Sequence, residues 1–145
     1  MEGNHINAKI EHEDIQKAAS PLMMKNFHFS DIKVSFSGEK FESVKMNMSV
    51  SHEILENGSD KATVTVDIKS EPEGFYLSVS AEAIFTLKNE ENLSESILIQ
   101  RNTVAIMFPF IRSEITLLTS QPGMAPMVIP ALNINKLLEN KNYVQ

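Results

Sequence analysis

The chain has 145 residues and a formal net charge of −6, from 13 lysines and arginines against 19 aspartates and glutamates. That length suits one domain with a core of its own, and 42% hydrophobic with 22% charged residues is globular composition, not disordered. The lack of cysteine excludes disulfide scaffolds, thiolate metal sites and cysteine nucleophiles. With arginine only at positions 101 and 112, no basic footprint for nucleic acid is present.

The N-terminal stretch carries Glu2, Glu11, Glu13 and Asp14 with no apolar run, so no secretory leader is expected. The longest apolar run, Val104 to Ile111, falls well short of the roughly 20 residues a membrane-spanning helix needs. The expectation is a cytoplasmic chain without membrane insertion.

Residues 8–19 read as a short helix, with Ile10, Ile15, Ala18 and Ala19 on one stripe and Pro21 opposing its continuation. The period then changes to two. Phe27 and Phe29 alternate with polar residues, then Ile32, Val34 and Phe36 do so in the opposite phase, which predicts a bulge near Ser30–Asp31 in a first strand over 22–36. A second strand is predicted over 41–54, with Val44, Met46, Met48 and Val50 on one face, joined there by His52 and Ile54. A third, over 61–69, presents Ala62, Val64, Val66 and Ile68. A fourth, over 75–88, presents Phe75, Leu77, Val79, Ala81, Ala83, Phe85 and Leu87. Such alternation marks half-buried antiparallel strands.

Parity fixes two connections. A hairpin centred between Pro72 and Glu73 pairs Ile68 with Leu77 and Val66 with Val79, matching apolar faces. A tight Asn57-Gly58 turn would set Val50 against Thr65 and oppose the faces. Strands two and three are therefore joined by an odd-length or bulged loop, or are not neighbours. Asn57-Gly58-Ser59 also matches a glycosylation sequon, but it reads better as turn chemistry.

Helical spacing follows. Ile97, Val104, Phe108, Ile111, Ile115 and Leu118 recur at three, four and seven, with Pro109 inside the stripe predicting a kink or a late start. From Ser120 to Ala131, Pro122, Gly123, Pro126 and Pro130 predict an apolar crossing loop that carries Met124, Met127, Val128 and Ile129. Asn133 can cap a last short helix containing Ile134, Leu137 and Leu138. The predicted class is α+β: a four-stranded antiparallel sheet, a long kinked helix, an apolar crossing loop and a short C-terminal helix.

No catalytic constellation emerges. His12-Glu13-Asp14 lacks the second histidine of a zinc protease, and there is no Gly-x-Ser-x-Gly elbow, phosphate loop or dinucleotide fingerprint. Neither an enzyme nor a cofactor or metal requirement is expected. The eight methionines stand out beside an absence of tryptophan, because methionine suits surfaces that accept many partners as well as irregular cores.

The stretch from Ala105 to Ser120, with Phe108, Pro109, Phe110, Arg112 and Glu114, resembles the first long helix of the SecB protein-export chaperone family. Gly123, Pro126, Pro130, Leu132, Asn133 and Ile134 resemble the loop and helix start that follow in that family. Ile84, Phe85 and Leu87 are similar to the end of its fourth strand, and Asp31-Ile32 to its first. The likeness covers about 22–138 of one domain spanning 1–145, with 1–21 as an N-terminal extension. It implies an ATP-independent holdase, a homotetramer built as a dimer of dimers, that keeps unfolded preproteins export-competent and passes them to the SecA motor. The family's acidic SecA-docking positions fall here on Asp31, which matches, on neutral Ser78 and near neutral Ser35. The alternative is a SecB-like scaffold or antitoxin-dedicated chaperone with one partner and no SecA coupling.

Clients are expected on Met124, Met127, Val128, Ile129, Leu137 and Leu138, with Met46 and Met48 on the sheet beneath; the same residues equally suit core packing. Val104, Phe108, Ile111, Ile115 and Leu118 are the expected oligomer interface, because one sheet leaves much of so long a stripe to a second copy.

Overall fold

The computed structural model describes residues 9–13, 22–87 and 97–139. Most of the predicted helix over 8–19 lies outside the described residues, within which only His12 and Glu13 are helical.

Four strands, β1 (Leu22–Phe36), β2 (Ser43–Ile54), β3 (Asp60–Glu71) and β4 (Phe75–Leu87), form one antiparallel sheet in the order β1-β4-β3-β2. Parity governs the register as expected. Ile68 lies opposite Leu77 and Val66 opposite Val79. Strands β2 and β3 are neighbours, with Val50 opposite Val64, because residues 55–59 make an odd-length loop. That loop closes through Leu55 N–H to the Ser59 carbonyl (2.8 Å), and Gly58 turns it at φ +83°. At the other connection Ser70 Oγ donates to the Pro72 carbonyl (2.8 Å) and accepts from Phe75 N–H (2.9 Å).

Strand β1 carries two irregularities. One falls between Phe29 and Asp31, where the apolar phase slips. The other falls between Lys25 and His28, where Asn26 adopts φ +55°, a conformation that asparagine tolerates better than most residues. Together they keep Leu22, Met24, Phe29, Ile32, Val34 and Phe36 opposite the inward residues of β4.

The inner face is apolar and the outer face polar. Helix α1 (Ile97–Leu118), about 33 Å long at 1.5 Å per residue, packs on β3 and β4. Its Val104, Met107, Phe108, Ile111 and Ile115 are buried with Ala62, Val64, Val66, Ile68, Leu77, Val79, Ala81, Ala83 and Phe85. Burying each large side chain contributes roughly 1.5–3 kcal/mol, so this layer holds the domain together. Pro109 lies inside α1 and has no N–H to give the Ala105 carbonyl four residues back.

The helix covers only the two central strands. Ile32 and Val34 on β1, and Val44, Met46 and Ile54 on β2, all inward by register, remain between 39% and 42% exposed. Helix α2 (Ile134–Glu139) follows the loop, and Asn133 Oδ1 accepts Lys136 N–H at its start (3.1 Å).

The interface expectation requires correction. Val104, Phe108, Ile111 and Ile115 are buried in the chain's own core, and Leu118 packs against it half-buried. Periodicity identifies an apolar stripe but not what covers it, and here the chain's own sheet does. The side chain of Ile97 lies outside the described residues. The apolar residues that α1 leaves outward are Phe110, 50% exposed, and Leu117, 62% exposed.

Candidate functional site

The best-formed apolar cluster outside the main core sits where the β3–β4 hairpin meets the loop after α1. Phe36, Phe41 and Phe75 come together there, Phe41 stacked on Phe75 at 5.7 Å and Phe36 edge-on to it at 6.2 Å. Met124 and Met127 close over them, leaving a cleft of only about 20 Å³ lined also by Thr119 and Ala125.

Two hydroxyls of the last turn of α1 hold the loop. Thr116 Oγ1 donates to the Met127 carbonyl (2.7 Å), and Thr119 Oγ1 accepts Met127 N–H (2.8 Å) while donating to the Ile115 carbonyl (2.8 Å). Upstream, Met124 N–H bonds to the Gln121 carbonyl (3.0 Å), and Gly123 turns the chain at φ +83°. A Cβ on Gly123 would meet no atom within 4 Å, so the cost of Gly123→Ala is backbone conformation alone. Urea unfolding should show a loss of about 1 kcal/mol; an unchanged midpoint would mean that the loop accommodates another conformation.

The structure unites part of the predicted set. Met124 and Met127 are half-buried on the phenylalanine cluster. Met46 and Met48 lie on the inner face of β2, opposite Ile68 and Val66, with Met46 exposed and Met48 half-buried against the core. Together with Phe41 and Val44 they continue the apolar surface along the edge strand. Ile129 departs from expectation: it belongs to the core cluster, so it is packing rather than accessible surface. Val128 is 77% exposed, and neither it nor the exposed Leu137 lines the cleft. The side chain of Leu138 lies outside the described residues.

Sequence reading passed over Phe36 and Phe41. Both stand at strand ends, where alternation ceases to report position, although their spacing about the Ser37–Lys40 turn was an available signal. It also passed over a buried pair on the inner face, where His52 Nδ1 and Asp60 Oδ2 meet at 2.7 Å.

The outer face is hydroxyl-rich and balanced in charge. Thr65 and Ser80 bond at 2.8 Å, and Lys33–Asp31, Lys61–Glu82 and Lys45–Glu71 pair off. The Glu71 carboxylate, bonded to the Lys45 ammonium and opposite in charge, raises the lysine above its ordinary value. Ser78, buried on this face, and exposed Ser35 occupy the positions where the resemblance expects acids.

No group of three or more histidine, aspartate or glutamate side chains that could hold a metal occurs among the described residues. No helix among them is long and apolar enough to cross a membrane.

A four-stranded antiparallel sheet carrying one long helix and a methionine-bearing loop is an α+β arrangement met among chaperones. The SecB family profile, described as preprotein translocase subunit SecB, matches residues 18–145, and the chain belongs to that family. The uncharacterized protein MJ0357 of Methanocaldococcus jannaschii is 27% identical over 110 residues, covering 70% of this chain and 71% of that protein. The protein-export protein SecB of Alkalilimnicola ehrlichii is 23% identical over 109 residues, 73% of this chain and 58% of that SecB, less than two thirds of its length. Among solved structures, the Mycobacterium tuberculosis Rv1957 SecB-like chaperone, in complex with a ChAD peptide from the Rv1956 HigA1 antitoxin, is similar with a TM-score of 0.62. The match covers 81% of this chain and 91% of that one at 12% identity, a likeness of fold.

Proposed function

We propose that the chain is an ATP-independent holdase that captures unfolded polypeptides on the surface running from the Met124–Met127 loop along β2. The observation that carries this reading is the seating of two methionines on three phenylalanines beside an uncovered apolar strand, in a chain of the SecB family. An unfolded client offers scattered apolar side chains, and a binder of many sequences needs adaptable contacts in place of a shaped pocket. Methionine supplies them, since its unbranched side chain repacks at little cost. The cleft is nearly closed as it stands, so a client side chain enters by displacing the thioethers from the aromatic rings.

The domain we assign to this function spans 1–145. Its crossing loop and α2 form the outer wall, and α1 is bent at Pro109. Val128, Leu137 and Leu138 are proposed as outlying contacts. The chain works as a homotetramer, a dimer of dimers, with Phe110 and Leu117 on the outward side of α1 as contact residues. The proposed location is the cytoplasm.

Suppression of aggregation of an unfolded protein tests the site. Met124→Ser/Met127→Ser should weaken client affinity about tenfold, since each fully covered apolar side chain is worth roughly 1.5–3 kcal/mol and other contacts remain. Circular dichroism should show the fold retained. Equal suppression by a well-folded double variant would reduce these methionines to packing residues.

A second reading is favoured by the outer face. With Ser78 and Ser35 neutral and the lysines and acids there balanced, that face offers little acidic surface for the SecA motor. The chain would then serve a dedicated partner, as the antitoxin peptide is for the Rv1957 chaperone. Binding of several unrelated unfolded proteins separates the export reading from this one.

A further inference from the structure

A second cavity, of about 380 Å³, opens between α1 and the lead-in to α2. Phe108, Pro109, Leu132 and Ile134 give it apolar walls, and Arg112 and Asn133 also line it. Arg112 is mostly buried, yet its guanidinium forms no ion pair or side-chain hydrogen bond with any described residue. A cation withdrawn from water without a partner is costly, and guanidinium matches carboxylate geometry with two parallel bonds. Asn133 is fixed by its cap to Lys136 N–H, and Ala105, another residue of this wall, has a carbonyl deprived of its helical donor by Pro109. The cavity thus combines space for one large apolar side chain with a fixed anion receptor at its edge.

We infer that this cavity is a second client subsite, distinct from the Met124–Met127 cleft, which selects a large apolar residue followed closely by aspartate or glutamate. The inference rests on the holdase reading and adds a chemical preference to it. The preference runs against the protein's net charge of −6, which repels acidic peptides at long range. It is therefore local, carried by Arg112, and its electrostatic part weakens with salt.

The test uses two fluorescein-labelled extended peptides, identical except for Phe-Glu in one and Phe-Gln in the other, with anisotropy read against the full chain. The wild type should bind the Glu peptide about three- to tenfold more tightly at low salt. Arg112→Gln should erase that difference, and Arg112→Lys should retain part of it, because a lysine keeps the charge but not the fork. Circular dichroism and native mass should be unchanged in both variants. Equal binding of the two peptides by the wild type, or a preference that survives Arg112→Gln, overturns the subsite while leaving the holdase reading intact. Binding of neither peptide overturns both. A fall in native mass on Arg112→Gln overturns the subsite by giving the guanidinium to an interface between copies. Should Arg112→Gln fail to fold, loss of the Glu preference in a folded Arg112→Lys supports the subsite, and full retention there overturns it.

Discussion

His52→Ala should lower the free energy of unfolding by about 3 kcal/mol or more, the range for breaking a buried ion pair by removing one partner. The side chains of His52 and Asp60 are 9% and 1% exposed, and Nδ1 lies 2.7 Å from Oδ2. Asp60 Oδ1 has no hydrogen-bond partner among the described residues, so the imidazole is the principal contact that offsets taking this carboxylate out of water. The pair joins β2 to β3 across the five-residue loop over 55–59, where the edge strand would otherwise peel first. Asp60→Asn keeps the volume and removes the charge, so it should lose less. Urea unfolding at fixed protein concentration gives both values. A His52→Ala midpoint within error of wild type would show that the carboxylate finds another partner.

The other large effect concerns assembly. Phe110→Asp/Leu117→Asp should convert the tetramer into smaller species that remain folded, because both positions are exposed on the isolated chain. Phe110 also touches Phe27 at 5.2 Å, so the double variant will lose some stability, but not the fold. Ile111→Asp or Ile115→Asp should behave differently. Those residues are fully buried under the sheet, and a charge there unfolds the chain instead of separating copies. Light scattering on each variant distinguishes the cases. A wild type that runs as a monomer at micromolar concentration would dispose of the tetramer.

Much of the sheet is legible in the sequence because a period of two leaves little freedom. Once Ile68 and Leu77 must face one way, hairpin parity sets the β3–β4 register, and the same argument demands an odd loop after Ile54. The slip at Asn26 was equally present in the change from Met24 to Phe27, but a single odd step looks like a ragged strand start until the partner strand is in place. Helix α1 shows the limit of periodicity. The stripe through Phe108 and Ile111 was visible; that it would be consumed by β3 and β4 depends on how much sheet one helix can cover. The phenylalanine cluster was hidden for another reason. Phe36, Phe41 and Phe75 belong to three strands and meet only at their ends, so no local pattern joins them. His52 and Asp60 could have been paired beforehand, since both fall on the inward parity of adjoining strands.

Thr116 and Thr119 have two duties, and the second constrains the first. They end α1, and they grip Met127 by its carbonyl and its N–H. The wall of the cleft is therefore fastened to the helix and to no neighbouring loop. If the final turn of α1 unwinds, the grip on Met127 goes with it and the phenylalanines lose their cover. Opening of the cleft and fraying of that turn become one event, so the helix end works as a latch whose strength sets how readily an unfolded chain is admitted.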